Sequence, residues 1–328
     1  MSRLQKLLSR VAPPDPALAS RAQAHLDQLT KPQGSLGRLE ELARRVVEIT
    51  GQDPPTVARP VIFTLAADHG VVAEGVSAYP QVVTAQMLEN FLRGGAAINI
   101  LARHAGADIV VADFGVATPL PSRPGLVVKR IGPGTKNMAR EAAMTREEAL
   151  SAVEAGVGLV EAERCRGVDL IGTGEMGIGN TTAASAIAAA LTGASVEAVT
   201  GRGTGIDEAT WERKLAVVRR ALEANRPDPT DALDVLAKVG GFEIGGLVGV
   251  ILAGAARRIP VVLDGFIAGA AALIAVRLKP EVRHFLLASH CSVEPGHRVI
   301  LEHLGLRPYL DLEMRLGEGT GSDRKSVV

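Results

Sequence analysis

GTGEMGIGNTT, residues 172–182, follows the short apolar run VDLI (168–171) and leads into an alanine-rich stretch, 183–191. An apolar run of strand length that ends in glycines and opens a helix is the repeating unit of an α/β sheet. Glycines let the backbone approach an anion, and unpaired N–H groups at a helix start point toward it. Gly177, Ile178 and Gly179 are therefore expected to offer backbone amides to a phosphate, with Asn180 or Thr181 capping the helix. The stretch also fits the dinucleotide fingerprint G-x-G-x-x-G, but it lacks the lysine of an NTPase phosphate loop. A tight strand–helix turn that binds nothing fits the same letters.

The unit recurs on both sides. Residues 61–66 precede Asp68-His69-Gly70, and 109–112 precede Asp113-Phe114-Gly115. Residues 195–199 precede Thr200-Gly201-Arg202-Gly203, 261–263 precede Asp264-Gly265, and 285–288 precede Ser289-His290. This rhythm predicts a Rossmann-like α/β domain over residues 59–299, a mainly parallel sheet with helices on both faces. Ligands of such sheets bind beyond the carboxyl ends of the strands. The N-terminal part reads as helices instead. Leu4, Leu7, Leu8 and Val11 recur at helical spacing, as do Leu39, Leu42, Val46 and Ile49. The proline-rich stretch 52–60 marks the boundary and sets residues 1–58 apart as a small helical region.

Composition narrows the function. Of 328 residues, 47% are hydrophobic but only 3% aromatic, so Ala, Gly, Val, Ile and Leu must build the core. Lys plus Arg equals Asp plus Glu at 36 each, which gives no electrostatic reason to expect nucleic acid or a membrane surface. The two cysteines, Cys165 and Cys291, make no disulfide framework, and the N-terminus lacks a signal-peptide pattern. A reducing cytoplasm is the expected compartment. The apolar stretches 245–256 and 266–276 are split by Arg257, Arg258, Pro260 and Asp264. Neither reaches the ~18 residues a membrane span needs, so a buried helix–strand–helix is expected.

Four further motifs carry chemistry. TGRGTGID (200–207) is a second glycine loop, in which Gly201 and Gly203 offer amides and Asp207 caps a helix; Lys214 follows two turns on. Two helix starts and an ammonium suit one phosphate, although an exposed helix lysine is the plainer reading of Lys214. In ADHGVVAEGVSAYP (67–80), Asp68 and His69 fit either catalysis or a hydrogen-bonded brace, and Pro80 suits a first helical position. Tyr79, Val83, Gln86 and Met87 would share a face that fits a flat aromatic ligand or ordinary packing. SHCSVEPGH (289–297) matches no zinc spacing; it reads as a polar loop supplying Ser292, and no metal is expected. In LGEGTG (316–321), Glu318 is flanked by glycines: a general base if buried, a turn glutamate if not. The last residues, DRKSVV (323–328), resemble a translated sequencing adapter and are expected to be non-native.

KPQGSL (31–36), ADHGVVAEG (67–75), AYP (78–80), GGAAIN (94–99), GTKNM (134–138), GTGEMGIGNTT, TGRGTGID, SHCSVEPGH and GEGTG (317–321) follow one another in that order. In that order they resemble the nicotinate-nucleotide–dimethylbenzimidazole phosphoribosyltransferases of cobalamin biosynthesis, over the chain up to Gly321. The family continues past GEGTG, whereas this chain ends at Val328. The resemblance implies a homodimer whose small helical domain joins residues 1–58 to about 300–322. It implies transfer of phosphoribose from nicotinate mononucleotide to 5,6-dimethylbenzimidazole without metal or redox cofactor. Glu318 becomes the base, and Glu175 a second carboxylate near the ribose. Gly177, Ile178, Gly179, Gly201, Gly203, Lys214 and Ser292 would hold phosphate and ribose; Tyr79, Gln86, Met87 and Leu316 would line the base pocket. The competing readings are an NAD-dependent oxidoreductase and a non-catalytic binder of bases or nucleotides.

Overall fold

The computed structural model describes residues 2–322, so the stretch 323–328, expected to be non-native, lies outside the described residues. The chain begins with α1 (Arg3–Leu8), α2 (Pro16–Gln28) and α3 (Arg38–Thr50), then enters the sheet with β1 (Pro60–Ala67). A 3-10 turn leads to α4 (Val82–Arg93), α5 (Ala97–Ala105), β2 (Asp108–Gly115) and β3 (Leu126–Val128). The second half runs α6 (Arg146–Arg164), β4 (Leu170–Met176), α7 (Asn180–Thr192), α8 (Val196–Val199), α9 (Glu208–Asn225) and α10 (Ala232–Val239). It closes with α11 (Phe242–Ala256), β5 (Val261–Leu263), α12 (Phe266–Leu278), β6 (Leu286–Ala288), β7 (His290–Cys291), α13 (Pro295–Leu304) and β8 (Leu310–Asp311).

The six main strands are all parallel, in the order β3-β2-β1-β4-β5-β6, while β7 and β8 make a separate short pair. Strand order reverses between β1 and β4, and that crevice is where open α/β sheets place their ligands. Period-2 alternation along β1 divides the core. Val61, Phe63 and Leu65 join the main cluster with α6 and α11, while Ile62 and Ala66 join Ala85, Leu88, Phe91 and Ile98 of α4 and α5.

The face of β1 and β4 bearing Ile62, Thr64 and Ala66 carries Gly172, Gly174 and Met176 in register. There the C-terminal segment covers β4. A Cβ on Gly172 would lie 2.9 Å from Ser322 Oγ, and one on Gly174 would lie 2.5 Å from the Glu318 carbonyl oxygen. The first two glycines of the fingerprint are thus strand residues that make room for the chain's own tail. They are not the turn that was expected to begin at Gly172.

Three other local expectations change. Residues 195–199 are not a strand: Ser195 Oγ accepts the Ala198 N–H at 3.3 Å and starts α8. A capping serine before a single helical turn outweighs the two valines. Helix α7 starts at Asn180 with Gly179 in the cap position, because the Asn180 side chain turns back to Glu175. Pro80 precedes α4 without being its first residue; Gln81 is the cap and Val82 begins the helix.

Helix α11 is buried on every side, which its almost unbroken apolar sequence requires. It crosses α6 at backbone contact: a Cβ on Gly249 would lie 2.8 Å from Val157 N, and one on Gly156 would lie 2.8 Å from Gly246 C. Gly158, two residues along α6, faces no atom within 4 Å. Gly249→Ala should therefore destabilise, overpacking of about 1–3 kcal/mol outweighing the ~0.5–1 kcal/mol that alanine adds to a helix. Gly158→Ala should stabilise by that last amount. Urea midpoints of the two variants moving the same way would contradict this packing.

Candidate functional site

A cleft of about 820 Å³, open space at its mouth included, lies at the carboxyl end of β4. The β4–α7 loop forms one wall with Gly177, Ile178 and Gly179; the loop before α9 adds Arg202 and Gly203, and α9 adds Lys214. Ser292 and Glu294 come from the loop before α13, and Arg315, Leu316 and Gly317 from the C-terminal segment.

Lys214 is buried, not an exposed helix lysine: its ammonium donates to Thr181 Oγ1 at 3.0 Å and to the Gly201 carbonyl at 3.3 Å. Burial lowers its pKa to about 8, with the charge of Glu294 acting the other way. Gly201 contributes that carbonyl, which braces Lys214, and is not among the residues that line the cleft. Two further expected donors are already engaged: Ile178 N–H donates to Thr84 Oγ1 at 3.1 Å and Gly203 N–H to Glu294 at 2.8 Å. The first bond ties the glycine loop to α4.

Glu175 faces the cleft and receives the Asn180 side-chain amide. Burial, followed by the charges of Asp264 and Glu243, pushes its pKa up to about 8. Glu318 is also buried, against the sheet, with its backbone in the left-handed region at φ 64°. Its N–H donates to the Glu175 carbonyl at 3.2 Å, and its carboxylate accepts the Ile98 N–H at the start of α5 at 3.4 Å. Burial raises the Glu318 pKa, and the Ile98 amide opposes that rise. Asp264 anchors the same segment, accepting Gly319 N–H at 2.9 Å and Gly321 N–H at 2.6 Å.

Asp68 and His69 are a brace. Asp68 accepts the Ala117 N–H at 2.7 Å, and His69 Nε2 pairs with Glu243 at 2.6 Å beneath the glycine loop. Burial works against an imidazolium there, but Glu243 outweighs it and raises the His69 pKa.

The expected base-binding residues are only partly gathered. Leu316 lines the cleft, but Tyr79, Gln86 and Met87 do not. Tyr79 is 51% exposed, Gln86 is exposed, and Met87 packs half-buried with the α4–α5 core. Asp264, Glu294, Arg202 and Arg315 were missed. The first three stand in motifs already quoted, each just after or within a loop, and that position was their signal. Arg315 carried none.

The whole chain has close relatives. A family model described as phosphoribosyltransferase matches residues 11–324. A nicotinate-nucleotide–dimethylbenzimidazole phosphoribosyltransferase from Roseiflexus sp. (strain RS-1) is 57% identical over 98% of this chain and 91% of the relative. One from Desulforudis audaxviator (strain MP104C) is 58% identical over the same shares. The chain belongs to this phosphoribosyltransferase family. The crystal structure of CobT from Thermus thermophilus superposes with a TM-score of 0.91 at 50% identity, over 94% of this chain and 93% of that one. The parallel α/β fold is therefore the family's fold, and the oxidoreductase reading falls with the strand placement of Gly172 and Gly174. No described helix of this family member is long and apolar enough to cross a membrane.

The raised carboxyls give the phosphoribosyltransferase a pH signature. Folded Glu175 holds its proton up to about 8, whereas in the unfolded chain it loses it near 4.5. Stability contributed by that proton is complete below the lower value and is lost as pH rises through the higher one. Asp264 acts in the same sense up to about 7 and His69 above 6.5; His297, lowered to about 3 by burial, acts oppositely but only below 6.5. The melting temperature should fall between pH 6.5 and 8, and Glu175→Gln should flatten the fall. Parallel slopes in the two proteins would show that Glu175 is ionised throughout.

Proposed function

We propose that this enzyme transfers the phosphoribosyl group of nicotinate mononucleotide to 5,6-dimethylbenzimidazole, giving α-ribazole 5′-phosphate and nicotinate. The observation that carries the reading is one cleft holding Lys214, Ser292 and the 177–179 loop beside Glu175, with Glu318 hydrogen-bonded to Glu175 in the adjoining wall. The 5′-phosphate belongs at the Lys214 end, where Arg202 and Arg315 add positive charge. Glu175 holds ribose hydroxyls, since burial favours its neutral carboxyl, which can both donate and accept.

In the reaction the C1′–N bond to the pyridinium breaks, and its electron pair leaves with the nicotinate ring nitrogen. That departure needs no general acid. A benzimidazole nitrogen forms the new bond from the opposite face, which inverts the anomeric centre. The N–H proton on the other ring nitrogen goes to the Glu318 carboxylate, whose raised pKa suits it as acceptor. Alignment of both substrates supplies much of the remaining acceleration. Tyr79, Gln86 and Met87 complete the base pocket in this reading, as residues of the α4 region that adjoins the glycine loop through Thr84.

Glu318→Gln keeps the shape and removes the base. It should lower the rate of α-ribazole 5′-phosphate formation by about 10²–10⁴-fold with the fold intact. Mass spectrometry of both products measures this, and full activity in the variant refutes the role. The proposal includes a homodimer, as the family resemblance implies. Sedimentation that finds only a species of one chain's mass overturns that part.

A further inference from the structure

Glu294 stands at the phosphate end of the cleft. It is 6% exposed, precedes α13, and its backbone N–H is held by Ser292 Oγ at 3.3 Å. Its carboxylate accepts the Gly203 N–H at 2.8 Å, the amide expected to serve a phosphate. The other carboxylate oxygen is buried without a hydrogen-bond partner. The carboxylate also crowds Gly201, where a Cβ would lie 2.8 Å from Glu294 Cδ. Its charge is felt by Lys214, the ammonium on the same wall.

A carboxylate and a phosphate carry like charge and need the same donors, so the Gly203 amide takes one or the other. A buried acceptor with one oxygen bare is incompletely satisfied, and a half-satisfied group is easier to move than one with every bond made. The phosphate brings more oxygens and more charge to Gly203, Lys214 and Ser292 than the carboxylate does. Substrate and product carry the same 5′-phosphate, so a group that competes for its seat acts at both ends of the cycle.

Resting on the phosphate seat assigned above, we propose that the Glu294 carboxylate is a built-in occupant of the Gly203 amide that the nucleotide's phosphate displaces on binding. Its return speeds release of the phosphorylated product. Glu294 is thus a positioning residue for both substrate entry and product exit.

Glu294→Gln keeps the hydrogen bond to Gly203 and removes the competing charge. Inorganic phosphate, titrated at fixed ionic strength, is the probe. The single tryptophan, Trp211, reports on the loop through its Nε1–H bond to the Thr200 carbonyl at 2.9 Å. The variant should bind phosphate at least about tenfold tighter, and its KM for nicotinate mononucleotide and its kcat should both fall. A merely structural glutamate would raise KM instead. Unchanged or weaker phosphate binding overturns the proposal, and so does a raised KM. If the variant does not fold, the wild-type protein still decides. Its Glu294 side-chain carboxyl carbon, observed by NMR with ¹³C-glutamate, should shift when phosphate is added, and a static signal refutes displacement. Wild type that binds phosphate but makes no α-ribazole 5′-phosphate defeats the proposed reaction alone.

Discussion

Asp264 gripping the amides of Gly319 and Gly321 is the contact on which the site depends. It comes from the end of β5, deep in the sheet, and reaches a segment more than fifty residues further along the chain. Thr64 of β1 holds the Glu318 carbonyl at 3.0 Å, and Ser322 Oγ reaches the Thr173 carbonyl at 3.0 Å. Three strands thus fix one short loop. Glu318 could not otherwise keep a left-handed backbone, which an L-residue adopts only when its surroundings over-determine it. The glycines on β4 follow from the same contact, since any side chain at Gly174 would strike the loop's backbone.

Confinement of this kind brings acids together. Glu175, Glu243, Asp264 and Glu318 are all buried, and each of the other three acts on Glu175. An ionised carboxylate in such a place costs several kcal/mol unless paired. The chain answers in different ways. Glu243 takes His69 as partner, Asp264 takes two backbone amides, and Glu318 takes the first turn of α5. Glu175 has an amide side chain from Asn180 and otherwise keeps its proton.

Much of the sheet was legible because its strands are short apolar runs ending in glycine, aspartate or histidine. The 177–179 loop and Ser292 were legible for the same reason, since strand-end loops converge whatever lies between them, whereas Lys214 stands on a helix and its burial had no local signal. Residues 195–199 misled because two valines in five positions do not tell a strand from one capped helical turn. Gly172 and Gly174 misled in a more instructive way. Their spacing matched a ligand-binding turn, while their cause was a tail arriving from residues 317–322, which no local pattern encodes. That the Ile178 and Gly203 amides are already engaged was hidden for a related reason. Composition shows which groups line a wall but not which donors are already taken, and both amide partners come from distant segments.

The charge pattern of the cleft bears on the chemistry more directly than any single residue. Lys214, Arg202 and Arg315 line the cleft together with Glu175 and Glu294, and Asp264 and Glu318 are close enough to act on Glu175. A nicotinate mononucleotide carries both signs as well, anionic at the phosphate and cationic at the pyridinium. As the pyridinium departs, positive charge moves onto the ribose and then onto the incoming benzimidazole. Buried carboxylates are costly in isolation, and that cost is offset by hydrogen-bond donors or by a cation within a few ångströms. In the proposed reaction the substrate brings that cation to whichever of these acids is ionised, while Glu175 in its neutral form serves the ribose hydroxyls. Pre-placed charge of this kind needs no reorganisation at the transition state. The clamp by Asp264 serves the role proposed for Glu318, since a Glu318 free to reach water would lose the raised pKa that burial gives it.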